Sequence, residues 1–484
     1  MPETITQRAA KSVPWAIAES AGTATLGAIS IILMARLLEP GALGTVALVV
    51  ALVSFLDFWI TAPFSESLVQ RRPLQALHVD SAFWAMTGFG LLSCACCVIL
   101  SGPISELYSD PALRDLIRVS SLSLLMAGLN GLPAIMLQRR LRVRELAKRG
   151  IAGQAAAVAT AVTLAMLGFG VWSIVFGDLV GKAVATIVLW IGYPGRPRLR
   201  FSRAHLFDLL RFGSSTSFEW FLWAFARRTF IAVIGYFHGP TALGYLHLAT
   251  RLTDTIVQFL GGVSNRFYLP VFSALQADER RLRLVVVQAS RMHVAVSVPA
   301  FLGLAAIAPM AVEVVLGARW LPAVPLIQIL CLFWALSATV SAVGPYLKAI
   351  GRPSTLIFPA LASTIVSLVV ALAAVDLSLE EAQAGFGLRV LVITPLLLYF
   401  ARTLGGLSVR RFLSSISVPC VSAVLMALAV WALEAALPTS HSWRQLIACV
   451  VAGILIYATT LYALDKQTSY LFQRVARRAL GWRT

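Results

Sequence analysis

Apolar runs of about twenty residues recur along the chain, separated by short polar turns. A helix needs about 20 such residues to cross a bilayer. Runs of that length lie near 13–35, 42–62, 81–101, 116–137, 150–169, 171–193, 215–236, 247–270, 288–310, 325–347, 355–375, 382–402, 413–436 and 443–464. The pattern predicts an all-α polytopic membrane protein with about fourteen transmembrane helices. Only Gly168-Phe169-Gly170 divides the stretch 150–193. No polar stretch is long enough for an extramembrane domain. The first run is too long for the 7–15-residue core of a signal peptide, and no clear cleavage site follows it. It reads as a retained first span.

The turns alternate in charge. One set carries Arg8 and Lys11, Arg71 and Arg72, then Arg139, Arg140, Arg142, Arg144, Lys148 and Arg149. It continues with Arg196, Arg198, Arg200, Arg203 and Arg211, with Arg280, Arg281, Arg283 and Arg291, and with Lys348, Arg352, Arg402, Arg410 and Arg411. It ends in a tail bearing Lys466, Arg474, Arg477, Arg478 and Arg483. The other set holds acids: Glu106, Asp110, Asp115, Glu313, Asp376, Glu380 and Glu381. Basic loops stay in the cytoplasm, so both termini are expected inside and the span count must be even. Composition agrees: 58% of residues are hydrophobic and 13% charged, against about 25% charged in a soluble domain. The net charge of +18 would suggest nucleic acid in a soluble protein. Confined to alternate loops, it reads instead as an orientation signal with contact to anionic membrane lipids, and no nucleic-acid partner is expected.

A short phrase occurs twice. Pro40-Gly41-Ala42-Leu43-Gly44 returns as Pro240-Thr241-Ala242-Leu243-Gly244, and Glu19 and Glu219 precede the two prolines by the same interval. Two related units predict a transporter of two lobes: residues 1–195 with spans 1–6 and 215–402 with spans 7–12. Six spans per copy put both copies in one orientation, with a pseudo-twofold along the membrane normal and a central cavity between lobes. Residues 196–214 form a basic linker with Leu206, Phe207, Leu209 and Leu210 at helical spacing, a cytoplasmic amphipathic helix. Residues 403–484 add spans 13 and 14 and a basic tail, where Leu471, Val475 and Trp482 lie against Arg474, Arg477 and Arg478.

Ionisable groups inside spans are costly and face water or a partner. Span 8 carries Arg251, Asp254, Gln258 and Asn265 on one helical face, with Arg266 one step on. They suit a cavity wall or a packing network between helices. Span 7 carries Glu219, Arg227 and Arg228, with Trp220 and Trp223 on the Arg227 side. Span 6 has Asp178 and Lys182 one turn apart, either a neutralising pair or part of an ion-coupling site. Span 2 places Ser54, Asp57, Thr61 and Ser65 on one face. Glu19 and Glu219 are expected at similar depths facing the cavity, or as structural carboxylates bonded to Ser or Thr.

Other chemistry is missing. No G-x-x-x-x-G-K-[ST], H-E-x-x-H or G-x-S-x-G occurs, so a transporter rather than an enzyme is expected, without cofactor or metal. The cysteines Cys94, Cys96, Cys97, Cys331, Cys420 and Cys449 all lie in apolar runs and read as small buried hydrophobes.

Several stretches, in order, resemble bacterial polysaccharide transporters, the Wzx-type oligosaccharide flippases. They are Ala35-Arg36-Leu37-Leu38-Glu39-Pro40 through Gly44, Leu68-Val69-Gln70, Ala242-Leu243-Gly244-Tyr245, Ala249-Thr250-Arg251-Leu252, Leu269-Pro270-Val271-Phe272-Ser273 and Leu275-Gln276. Leu316-Gly317-Ala318-Arg319-Trp320, Ala323-Val324-Pro325-Leu326 and Gly351-Arg352-Pro353 complete the set. The superfamily also holds the MATE multidrug exporters and the lipid II flippase. Many members carry an Asp-containing segment where this chain reads Ala226-Arg227-Arg228-Thr229, so this site is more cationic.

The resemblance implies a multi-pass protein of the bacterial inner membrane. It would move an undecaprenyl-diphosphate-linked oligosaccharide from the cytoplasmic to the outer leaflet for surface or exopolysaccharide synthesis. A polysaccharide polymerase and chain-length proteins are possible partners. Arg227, Arg251 and Arg266 are the residues suited to the diphosphate, since guanidinium binds phosphate in bidentate fashion. The membrane potential would drive the anion outward, with Asp178, Lys182, Glu219 or Asp254 as an optional ion-coupling group. Other readings stay open: a MATE-type drug/cation antiporter, a lipid II-type flippase, a membrane glycan polymerase or ligase, and a non-transporting scaffold.

Overall fold

The computed structural model describes residues 5–71, 73–140, 142–437 and 442–465. Among them the protein is helical, without a strand. The helices are α1 (Ile5–Leu37), α2 (Pro40–Gln70), α3 (Ala76–Leu107), α4 (Ala112–Arg139), α5 (Val143–Met166), α6 (Val171–Gly192) and α7 (Arg203–Ala274). They continue as α8 (Glu279–Ala311), α9 (Val324–Ala338), α10 (Val343–Ala349), α11 (Ile357–Ala373), α12 (Leu379–Gly405), α13 (Val409–Ala436) and α14 (Trp443–Leu464).

Among the described residues, eleven helical segments are long and apolar enough to cross a membrane, which makes this a multi-pass membrane protein. The expected spans 150–169, 215–236 and 247–270 fall on α5 and on the two parts of α7, outside those eleven. By length and apolarity the described residues thus hold eleven spans where fourteen are expected. The expected span 325–347 falls on two helices, α9 and α10. The basic tail helix expected after Asp465 lies outside the described residues.

Local chemistry sets the boundaries. Pro40 opens α2 in its first turn, where a missing N–H costs nothing. The predicted turn between α5 and α6 forms at Gly168 and Gly170, both at positive φ. Gly239, at φ 80° and ψ 176°, breaks α7 into its two parts. A capping box opens α14: Gln445 N–H donates to Ser442 Oγ at 3.4 Å, and the Ser442 N–H donates to Gln445 Oε1 at 2.8 Å.

The chain forms two compact units. The first comprises Met1–Leu248 and Ser367–Leu379. Within it α5 and α6 pack almost backbone to backbone. A Cβ on Gly177 would stand 2.8 Å from the Ala157 carbonyl oxygen, and one on Gly181 2.8 Å from that of Gly153. Small residues at every fourth position permit this approach, and dispersion between close backbones holds helices together in lipid. Gly90 and Gly128 do the same for α3 and α4. The two copies of the repeated phrase, at the start of α2 and just after Gly239, also meet within this unit at Gly44 and Gly244.

The second unit comprises Ala249–Val366 and Glu380–Thr484. Here α13 and α14 bury Met426, Val430, Leu446 and Cys449 against Ala306 and Met310 of α8. Polar contacts mark both ends of that packing. The Met310 N–H donates to Glu434 Oε1 at 3.2 Å. Arg291 donates to the buried Asp465 carboxylate, with Nε at 3.1 Å. The hydroxyl of Tyr457 donates to the Ala295 carbonyl at 2.7 Å.

Candidate functional site

Five helices of the first unit bring six ionisable side chains into one neighbourhood. Asp57, half-buried near the middle of α2, lies in the electrostatic field of Lys182, Asp178, Arg149 and Arg228. Arg149 of α5 faces both Glu19 of α1 and Asp57. Lys182 Nζ meets Asp178 Oδ2 at 2.7 Å across one turn of α6. Arg228 enters from α7. Three carboxylates, Glu19, Asp57 and Asp178, thus stand with three cations, Arg149, Lys182 and Arg228.

The backbone makes room for this. Gly150 lies against Glu19, whose Oε1 would stand 3.1 Å from a Cβ at that position. The small residues that press α5 onto α6 leave Asp178 and Lys182 on the adjoining face, beside Gly177 and Gly181. Aromatic rings join α2 to α7 alongside. Phe55 lies 6.1 Å from Phe221 and 6.2 Å from Phe225, and Trp59 lies 4.9 Å from Phe221, centroid to centroid. Ser54 and Ser65 of the predicted polar face of α2 satisfy their hydroxyls locally, on the Val50 and Thr61 carbonyls.

Chemically, the cluster is a charge-balanced polar patch in an apolar bundle. Such a patch can exchange internal ion pairs for an external anion or cation at a lower desolvation cost than a lone charge requires.

Glu19, Asp57, Asp178, Lys182 and Arg228, all singled out in the sequence, are brought together here. Glu219, Trp223 and Arg227 lie on the same part of α7, each half-buried. Arg251, Asp254 and Gln258 belong to the second unit. There Arg251 and Gln258 are exposed and Asp254 half-buried, while Thr253, off that face, is fully buried. The side chains of Asn265 and Arg266 lie outside the described residues. Sequence reasoning placed Arg149 among the loop cations and passed over Phe55, Trp59, Phe221 and Phe225. The cue for Arg149 was its neighbour: Gly150, Gly153, Ala157 and Ala161 read as a close-packing helix face that starts beside it.

Other predicted features have plainer surroundings. Cys94 and Cys97 are buried, and Cys94 Sγ lies 3.3 Å from Ser121 Oγ of α4. Arg139, one of the loop cations, donates to the carbonyls of Leu68, Val69 and Arg71 and so caps the end of α2.

An all-helical bundle with many membrane-spanning helices and a cluster of paired charges inside it defines a polytopic membrane protein. The profile of the family described as "Polysaccharide biosynthesis protein" matches residues 33–325, and the chain belongs to that family. It is 26% identical over 464 residues to the succinoglycan biosynthesis transport protein ExoT of Rhizobium meliloti (strain 1021), covering 94% of this chain and 93% of that one. It is 24% identical over 335 residues to the lipopolysaccharide biosynthesis protein WzxC of Escherichia coli (strain K12), covering 68% and 67%. Among solved structures the fold is similar to the lipid II flippase MurJ in its inward closed conformation, with a TM-score of 0.78 and 14% identity over 96% of this chain and all (100%) of that one. It is also similar to an inward-facing MATE multidrug transporter, with a TM-score of 0.61 and 16% identity over 81% and 98%.

Proposed function

We propose that the protein is a flippase for undecaprenyl-diphosphate-linked oligosaccharide repeat units. It moves them from the cytoplasmic to the outer leaflet of a bacterial inner membrane, for surface or exopolysaccharide synthesis. The observation that carries the reading is the six-residue charge cluster inside the first unit of a multi-pass membrane protein from a polysaccharide biosynthesis family. Two relatives support the substrate class by name, one a succinoglycan transport protein and one a lipopolysaccharide biosynthesis protein.

A sugar headgroup carries many hydroxyls, each costing several kcal/mol to bury unpaired. A polar path through the bundle lets the head cross while the lipid tail stays in hydrocarbon. In this mechanism Arg228, with Arg227, Arg251 and Arg266, receives the diphosphate. Asp57, Glu19, Glu219, Asp254, Gln258, Asn265 and Trp223 line the cationic cavity. The two lobes, 1–195 and 215–402, alternate in access, the linker 196–214 joins them, and 403–484 is an appendage with both termini cytoplasmic. An inside-negative potential favours outward movement of an anion by about 2.3 kcal/mol per charge per 100 mV. A proton or Na⁺ at Asp178–Lys182, Glu219 or Asp254 is an optional addition. Polymerase and chain-length proteins would act on the delivered repeat unit.

The test is reconstitution. Purified protein in vesicles holding the lipid-linked oligosaccharide should deliver sugar to the far leaflet, read with an impermeant glycosidase. Failure of folded protein to move the sugar, together with efflux of a cationic dye, would transfer the assignment to a drug exporter.

A further inference from the structure

The segment from Arg196 to Arg211, between α6 and the body of α7, has two unlike faces. One is fastened to the start of α3. The Arg198 N–H donates to Asp80 Oδ1 at 3.0 Å, and the Arg198 carbonyl accepts from Trp84 Nε1 at 2.9 Å. The Ser202 N–H donates to Ser81 Oγ at 2.9 Å, and His205 Nε2 meets Gln75 Oε1 at 2.9 Å. Asp208 pairs with Arg71 and lies 3.4 Å from His78, whose ring crosses that of His205 edge-on at 4.4 Å. These contacts fix which face turns outward.

The outward face carries Leu199, Phe201 and Phe207, exposed by 88%, 53% and 68%, interleaved with exposed Arg196, Arg198, Arg200 and Arg203. Asp208 is the one acid between 196 and 211, and Arg71 already neutralises it. The patch is therefore apolar and of one sign of charge. The charge cluster does not use it, and the general attraction of the basic loops to anionic lipid is narrowed by it to one face of one segment.

Its place decides the partner. Leu199 follows Gly192, the end of the candidate span α6, after a short non-helical stretch, and the opposite face is docked on the first turns of the candidate span α3. A leaflet surface therefore lies within reach of every residue named. Large apolar side chains among arginines match a surface whose outer layer is anionic and whose interior is hydrocarbon. We propose that residues 196–211 form a binding surface for anionic phospholipid headgroups, with Phe201 and Phe207 set among the acyl chains just below them. The helix runs on from Arg203 to Gly239 without a break. Lipid contact at one end thus holds the same helix that carries Arg228 into the charge cluster.

Hydrogen exchange on the full chain in lipid nanodiscs tests this. Backbone amides of 199–211 should exchange more slowly in discs containing phosphatidylglycerol than in discs of phosphatidylcholine alone. Each Arg→Gln change among Arg196, Arg200 and Arg203 should reduce that difference by about fivefold or less. Phe207→Ser should also raise exchange in the anionic discs. All four side chains are exposed, so exchange in α3 and α4 should stay as in the wild type and report intact folding. Equal exchange in the two discs would overturn the proposal. So would an anionic-lipid effect that survives the combined Arg196→Gln, Arg200→Gln and Arg203→Gln substitutions. Protection in both discs that depends on Phe207 alone would show apolar insertion without charge recognition, and would overturn it too.

Discussion

Gly44 and Gly244 meet backbone to backbone. A Cβ built on Gly44 would fall on the Pro240 carbonyl oxygen and lie 2.9 Å from the Gly244 nitrogen. One built on Gly244 would fall on the Pro40 carbonyl oxygen. Each copy of the repeated phrase therefore supplies the glycine that the other copy's proline carbonyl needs. The repetition visible in the sequence is a self-complementary helix crossing, in which each half is shaped by the other.

Either glycine replaced by alanine should push the two helices apart, at a cost of about 1–3 kcal/mol typical of overpacking. The double variant should cost little more than one alone, because the first substitution already separates the pair. Thermal unfolding in detergent measures both. Gly88→Ala, at an exposed position with nothing within 4 Å of the added carbon, serves as a neutral or slightly stabilising control.

The clasp between α8 and the last helix should behave as a buried ion pair. Asp465→Asn leaves the half-buried Arg291 without its carboxylate and should destabilise the protein by about 3–5 kcal/mol. Joint replacement, Arg291→Met with Asp465→Leu, should cost less than the single change, since no unpaired charge remains. Unfolding curves for the three variants decide this.

Capping of α2 by Arg139 gives a smaller, local effect. Arg139→Gln removes charged donors from the Leu68, Val69 and Arg71 carbonyls and should cost about 1.5–3 kcal/mol. Faster hydrogen exchange should appear first at the end of α2.

Arg71, and more weakly His78, hold the Asp208 carboxyl below the ordinary carboxylate value of 3.8. A group depressed in the folded state contributes stability above its unfolded value and loses it as pH falls through the folded one. Docking of 198–208 on α3 should therefore change little from Asp208 between pH 8 and about 5, and should loosen only below about pH 4. Exchange rates of 198–208 across that range report it. Loosening that begins well above pH 5 would contradict this assignment to Asp208.

Much of this was legible beforehand, for physical reasons. Apolar length marks a helix that lipid must surround, and Gly168 and Gly170 mark a break because their backbones sit at positive φ. Asp57, Asp178, Lys182, Glu19 and Arg228 stood out because charge inside an apolar run is expensive. The Asp178–Lys182 pair followed from helix pitch alone. Which charges meet across helices is a tertiary fact, and no spacing within one helix encodes it. Arg149 was read as a loop cation because the apolar run starts near 150, whereas α5 starts at Val143 and draws the arginine into the bundle. The linker likewise was read as a separate helix lying on the surface. Its charges end the apolar run, yet the backbone continues helically from Arg203 into the next span.

The cluster makes the sharpest claim about transport. If Arg228 takes the diphosphate from Asp57 while Arg149 holds Glu19 and Asp57 in the cluster, each should matter for movement of the lipid-linked sugar. The decisive measurement is the initial rate of sugar delivery to the far leaflet in vesicles, for wild type, Arg149→Gln and Arg228→Gln, with the potential clamped at zero and then outside-positive. The account predicts a faster wild-type rate under the outside-positive potential, and a loss of about tenfold or more in each variant, the equivalent of one charge-assisted contact. Rates that match wild type in both variants, with the protein folded, would contradict it.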